Sequence, residues 1–187
     1  GFMQIPGIDF VDTFAPTGKF PTLLLLLILG LDKNLPIRQF DVKSAFLFAP
    51  LSEIIYIKTP LGSRIKSNFL KLKKSLYGLK QAPMNWFNTL TLWLNEINYI
   101  QSTSDPCLFI KKSCDSFLFF HVDDLIVVGK VTEFEKDFLS RFPDSSAHEP
   151  DTILGMKLTS HNGFITLHQP SLIEKGLENL NLKYCKL

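Results

Sequence analysis

Cysteine is scarce in this chain. Cys107, Cys114 and Cys185 are the whole set among 187 residues, and no two are spaced as a CxxC pair. A disulfide scaffold and a Cys-rich zinc site are therefore disfavoured, and the odd number suits a reducing compartment. Long apolar runs are also missing. The most apolar stretch, Leu23 to Leu31, is confined between Pro21 and Asp32, whereas a membrane span needs about 20 residues. Asp9 and Asp12 precede it and no small-residue cleavage site follows, which does not suit a signal peptide. A buried helix opened by Thr22 and ending near Asp32 is the expected alternative, with no membrane partner and no targeting signal. His121, His148, His161 and His168 lack metal-ligand spacing, and no GxSxG or Walker-type loop is present.

The most informative absence is of acidic residues. None occurs between Glu53 and Glu96, a stretch that carries Lys58, Arg64, Lys66, Lys71, Lys73, Lys74 and Lys80. The rest of the chain holds 13 basic against 18 acidic residues, so the net charge of +2 hides a strong asymmetry. A one-sign block inside a folded domain suggests a face for a polyanion; a solvated lysine-rich loop is the alternative. Hydrophobic residues make up 45% and charged residues 20%, an ordinary globular balance that argues against disorder. Phe supplies 17 of 23 aromatic residues, which predicts an aromatic-rich core.

Hydrophobic periodicity predicts a mixture of elements. Strands are expected at 37–42, 54–58, 69–72 and 107–110. Pro83 opens a helix on which Trp86, Phe87, Leu90, Leu94, Ile97 and Tyr99 recur near helical spacing. Phe117 to Val128 (FLFFHVDDLIVV) places two apolar runs around an acidic centre and predicts a β-hairpin with Asp123 and Asp124 at its tip. Thr132 and Glu135 form a candidate capping box for a helix bearing Phe134, Phe138 and Phe142. A loop is expected at 143–151, and a second hairpin from Ile153–Thr159 and Phe164–Leu167 around Asn162-Gly163. Ser171 and Glu174 would cap a last helix running to the C-terminus. Helices mixed with hairpins predict an α+β fold.

Adjacent aspartates between apolar strands repel, and each raises the other's proton affinity. A divalent cation relieves that repulsion, and carboxylate oxygens are the ligands magnesium prefers. Asp41, in FDVKSAF, is the candidate third carboxylate for a two-metal phosphoryl-transfer site. The alternative is that Asp123-Asp124 form only a polar turn.

The string Lys71 to Trp86 (KLKKSLYGLKQAPMNW) closely resembles the palm signature of copia-type LTR-retrotransposon reverse transcriptases. So do Thr13 to Pro16 (TFAP), Gln39 to Leu47 (QFDVKSAFL), Asp105 to Ile110 (DPCLFI), His121 to Gly129 (HVDDLIVVG) and Leu154 to Leu158 (LGMKL), in family order over nearly the whole chain. The resemblance implies a right-hand polymerase palm with partial fingers: an antiparallel sheet backed by helices. Residues 1–36 and 52–75 would be fingers-like, 37–51 and 76–160 palm, and 161–187 the start of a thumb. By the same resemblance, integrase, protease and RNase H regions would be absent. It implies an RNA-directed DNA polymerase taking an RNA template, a DNA primer and deoxynucleotide triphosphates. Asp41, Asp123 and Asp124 would be catalytic and would hold two Mg2+ ions, with Mn2+ as an alternative.

By the same resemblance Phe46 would be the steric gate against a 2′-hydroxyl, with core packing as the alternative. Tyr77, Gly78 and Lys19 would meet the nucleotide. Lys71, Lys73, Lys74, Lys80, Gln81, Pro83 and His121 would meet nucleic acid. The family places such a protein in cytoplasmic particles or the nucleus, and a missing RNase H or thumb region, or another Pol chain, would be a partner. This sequence departs from the family at His121, where Tyr is usual, at Phe48-Ala49-Pro50, at Leu24 and at Met84. Loss of polar and cationic groups there is expected to weaken triphosphate binding. The alternative function is a catalytically dead remnant that keeps the fold and nucleic-acid binding. A metal-dependent nuclease is disfavoured because SLYGLKQAP belongs to polymerases.

Overall fold

The computed structural model describes residues 1–161 and 163–182. Four helices are present among them: α1 (Phe20–Asp32), α2 (Ala82–Glu96), α3 (Val131–Arg141) and α4 (Pro170–Asn179). The strands are β1 (Ile37–Asp41), β2 (Tyr56–Lys58), β3 (Phe69–Lys71), β4 (Tyr99–Gln101), β5 (Leu108–Lys111), β6 (Ser116–His121), β7 (Asp124–Gly129), β8 (Ser146–His148), β9 (Thr152–Ile153), β10 (Met156–His161) and β11 (Phe164–His168). They form a six-stranded sheet in the order β4-β5-β6-β7-β1-β8, a three-stranded sheet β11-β10-β9 and a ribbon β2-β3. Every ladder is antiparallel, and the fold is α+β as expected.

The central hairpin β6-β7 explains its own composition. Leu118, Phe120, Leu125 and Val127 point to one face, into a cluster with Trp86, Leu90 and Trp93 of α2 and Phe134 and Phe138 of α3. Phe119, Ile126 and Val128 point to the other, against Leu23, Leu26 and Leu27 of α1 and Ile153 and Leu158 of the three-stranded sheet. Strands covered on both faces have no polar side to alternate with, so FLFF and LIVV are continuous apolar runs. The first cluster is built from rings. Phe40 meets Phe134 and Phe138 edge-on at 5.0 Å, within the range where aromatic pairs add to simple area burial.

Several local expectations need correction. Tyr99 is not on a helix: Ile97 is the C-cap of α2, and Tyr99 starts β4 with its hydroxyl 2.7 Å from Ser116 Oγ. The Thr132–Glu135 capping box does not form. α3 starts two residues earlier, at Val131, capped at Lys130 without a side-chain bond, and Glu135 instead pairs with Arg38. Nor does Ser171 cap α4, whose N-cap is Gln169. That helix ends at Asn179, and its expected continuation over 183–187 lies outside the described residues. The loop at 143–151 contains β8, which pairs with β1. The strand expected at 153–159 is broken at Leu154-Gly155, both at positive φ (52° and 72°), as a tight hairpin turn requires. In the β10-β11 hairpin Asn162 lies outside the described residues, beside Gly163 at φ 77°.

Candidate active site

The three candidate carboxylates converge on one end of the large sheet. Asp41 is the last residue of β1 and lies opposite Asp124, the first residue of β7. Cross-strand partners project from the same face, so these two side chains are neighbours despite their separation in sequence. The β6-β7 turn adds the third. His121 pairs with Asp124, which leaves Val122 and Asp123 as the two turn residues. The hairpin tip is therefore Val122-Asp123, and Asp124 belongs to the strand, a correction of one residue to the expected tip.

That turn is held firmly. Val122 sits at φ 59°, a conformation costly for a β-branched residue. Two bonds oppose relaxation: Trp86 Nε1–H donates to the Val122 carbonyl at 2.6 Å, and the Val42 N–H donates to the Asp123 carbonyl at 3.2 Å. The first ties the turn to α2 and the second to the chain leaving β1. Trp86 was legible only as a core position of α2, because nothing local says where an indole N–H will point.

The electrostatics follow from this crowding. Burial, then Asp123 and Asp41, raise the proton affinity of Asp124 above that of an ordinary carboxylate, against a smaller lowering from Gln39 and His121. Gln39 is almost fully buried and ties β1 to the second sheet, donating to the Thr152 carbonyl at 2.7 Å and accepting from the Asp151 N–H at 3.2 Å. His121 is half-buried, and its Nδ1 has no hydrogen-bond partner among the described residues. The Tyr77 hydroxyl donates to Asp123 Oδ2 at 3.1 Å. Partial burial and then the charge of Asp123 push the phenol up to about 12. Beneath it lies Phe46, 6% exposed, with ring centroids 4.2 Å apart.

The carboxylates suit a hard divalent cation in kind and in number, and burial beside Asp123 and Asp41 raises the proton affinity of Asp124. Their side chains are not drawn into a ligand set, however: among the described residues no three His, Cys, Asp or Glu side chains are gathered to hold a metal ion.

Other expected residues lie elsewhere or have internal tasks. Lys19 Nζ donates to the Ser104 carbonyl at 2.8 Å, and its N–H to Asp105 Oδ2 at 3.0 Å. Burial alone would raise the Asp105 carboxyl; bonds from the Thr22 side chain and the Cys107 and Lys19 N–H groups outweigh it and leave it lowered. Gln81 is fully buried. It accepts from Gln4 Nε2 and donates to the Asp9 carbonyl, so its amide clasps the N-terminal segment. Pro83 is half-buried in the first turn of α2. Lys71 on β3, Lys73, Lys74, Gly78 and Lys80 are all exposed, and Lys74 Nζ lies 5.9 Å from the centre of the Phe48 ring.

An α+β domain whose central antiparallel strands bring three aspartates to one sheet end defines a class of candidate phosphoryl-transfer site. The sequence identifies the family. Residues 1–187 match the model of the reverse transcriptase (RNA-dependent DNA polymerase) family, and the chain belongs to that family. More narrowly it is a copia-type domain of the kind found in retrotransposon Pol polyproteins. It is 35% identical to the retrovirus-related Pol polyprotein from transposon TNT 1-94 of Nicotiana tabacum over 198 residues, covering 100% of this chain. It is 37% identical to that from transposon RE1 of Arabidopsis thaliana, covering 69% of the chain. The transposon Ty1-ER2 Gag-Pol polyprotein of Saccharomyces cerevisiae is 28% identical over 97% of the chain. The chain spans 15%, 9% and 11% of these polyproteins respectively. Among the described residues no helix is long and apolar enough to cross a membrane.

Proposed function

We propose that this chain is the palm, with part of the fingers, of an RNA-directed DNA polymerase that adds deoxynucleotides to a primer on a nucleic-acid template. Residues 37–51 and 76–160 would be palm, 1–36 and 52–75 fingers-like, and 161–187 the start of the thumb. One juxtaposition carries the reading: Asp41 faces Asp124 across β1 and β7, with Asp123 next to them in a turn pinned by Trp86.

In this reading Asp41, Asp123 and Asp124 hold two Mg2+ ions, which when bound supply acidity to the primer 3′-hydroxyl and charge stabilisation to the leaving pyrophosphate. Phe46 lies under the sugar and crowds a 2′-hydroxyl. The exposed lysines 71, 73, 74 and 80 contact template phosphates, which gives affinity without sequence preference. Gln81 acts indirectly, by fixing the N-terminal segment against α2.

The test is primer extension with an RNA template, an annealed DNA primer, Mg2+ and deoxynucleotides, beside Asp123→Asn. Extension that disappears in the variant is expected. A folded chain that binds the hybrid without extending it would favour the inactive-remnant reading. Cleavage of the nucleic acid without added nucleotides would favour a nuclease.

A further inference from the structure

We propose that Tyr77 is a gate on the carboxylate site: its phenol holds Asp123 and covers Phe46, and it must swing away before a divalent cation and nucleotide enter. The proposal rests on the reading of the three aspartates as cation ligands and adds a competitor for that site from within the chain.

Three observations support it. First, the Tyr77 hydroxyl donates to Asp123 Oδ2 at 3.1 Å and so occupies an oxygen of a carboxylate read as a cation ligand. Second, its ring lies on Phe46 at 4.2 Å, the surface against which a sugar would rest. One side chain thus obstructs both the cation and the nucleotide positions. Third, Tyr77 is placed to move. It is 58% exposed and occupies a turn closed by the Leu79 N–H on the Leu76 carbonyl at 3.2 Å. The next residue, Gly78, has φ 95°, as the third position of a type II turn demands. A side chain on a glycine turn, open to solvent on its far side, can rotate without disturbing the core.

A phenol proton is a weak substitute for a cation beside two carboxylates. Removing it while keeping the ring should therefore favour the cation. The experiment is Mn2+ binding to the full chain without nucleotide or nucleic acid, followed by electron paramagnetic resonance of the free ion. Wild type, Tyr77→Phe, Asp123→Asn and the double variant are compared, with circular dichroism melts confirming that each is folded. Tyr77→Phe is expected to tighten Mn2+ binding by about five-fold, the size of one net hydrogen bond. Asp123→Asn should weaken binding, and in that background Tyr77→Phe should have no further effect. Unchanged or weaker binding in Tyr77→Phe, with Asp123→Asn weakened as expected, would overturn the gate and leave the cation site standing. Unaltered binding in Asp123→Asn would overturn the cation site and the gate together.

Discussion

The indole N–H of Trp86 reaches the Val122 carbonyl at 2.6 Å, so a core residue of α2 directly holds the turn that carries Asp123. The bond stabilises a backbone position that valine adopts reluctantly, φ 59°. Replacing Trp86 by Phe keeps an aromatic ring in the cluster and removes the donor. We expect a loss of about 1 kcal/mol of stability, the usual net contribution of one hydrogen bond, and slower primer extension. Urea unfolding measures the first and single-turnover extension the second; wild-type stability in Trp86→Phe would show that the bond contributes nothing.

Asp124 predicts a pH effect with a definite sign. Its folded-state proton affinity is raised by burial, Asp123 and Asp41, so the native state binds the proton more tightly than the unfolded chain does. This group's contribution is therefore favourable in acid and is lost as pH rises through the ordinary carboxylate value towards the raised one. Asp105 acts in the opposite direction because its carboxyl is lowered. The Asp124 contribution is thus read as the difference between wild type and Asp124→Asn. That difference should grow in favour of Asn between pH 4 and 7 and shrink when Mg2+ is added. Parallel stability curves across this range would contradict it.

Gly129 ends β7 at φ 111°, and a Cβ there would lie 2.2 Å from the Asp115 carbonyl oxygen. Both the backbone conformation and the space oppose a side chain. Gly129→Ala should destabilise the protein by roughly 2–5 kcal/mol, combining backbone strain with overpacking. A thermal melt unchanged from wild type would be incompatible with this packing.

Phe46 is expected to set sugar selectivity. Phe46→Val shortens the surface under the nucleotide, so incorporation of ribonucleotides relative to deoxynucleotides should rise by roughly ten-fold or more, the scale of steric discrimination in an apolar pocket. Competition assays with paired nucleotides check this. An unchanged ratio, with extension intact, would return Phe46 to ordinary packing against Tyr77.

The lysines of the basic block should make a sequence-independent contribution. Lys71, Lys73 and Lys74 are exposed on and just after β3. Replacing any one by Ala should weaken hybrid binding uniformly across sequences and reduce the salt dependence of log K by about one phosphate contact. A variant that keeps the full salt slope would remove that lysine from the interface.

Much was legible locally. Leu23 to Leu31 was legible as a helix too short for a membrane, but it is buried on one face only: Leu23, Leu26, Leu27 and Gly30 are covered, whereas Leu25 and Ile28 are exposed. The central hairpin was visible because two apolar runs flank polar residues at the required distance. Asp41 stood out as an acid inside an apolar strand-like segment, and the charge gap from 54 to 95 marked one region as basic. All of these depend on neighbours in the chain, where composition and spacing carry the physics.

Tertiary structure decided the rest. β8 has no strand signature, and it exists because the edge of β1 offers unpaired backbone groups to Ser146–His148. Tyr99 fitted the helical period of α2 yet turned into β4, where its hydroxyl finds Ser116. Gln81 resembled a surface residue of a nucleic-acid-binding segment, but both ends of its amide are satisfied inside the protein. That Asp41 faces Asp124, and that Val122 rather than Asp124 occupies the turn, follows from strand register. Register is set by which faces bury against α1, α2 and α3, a sum over distant contacts that no local run of residues encodes.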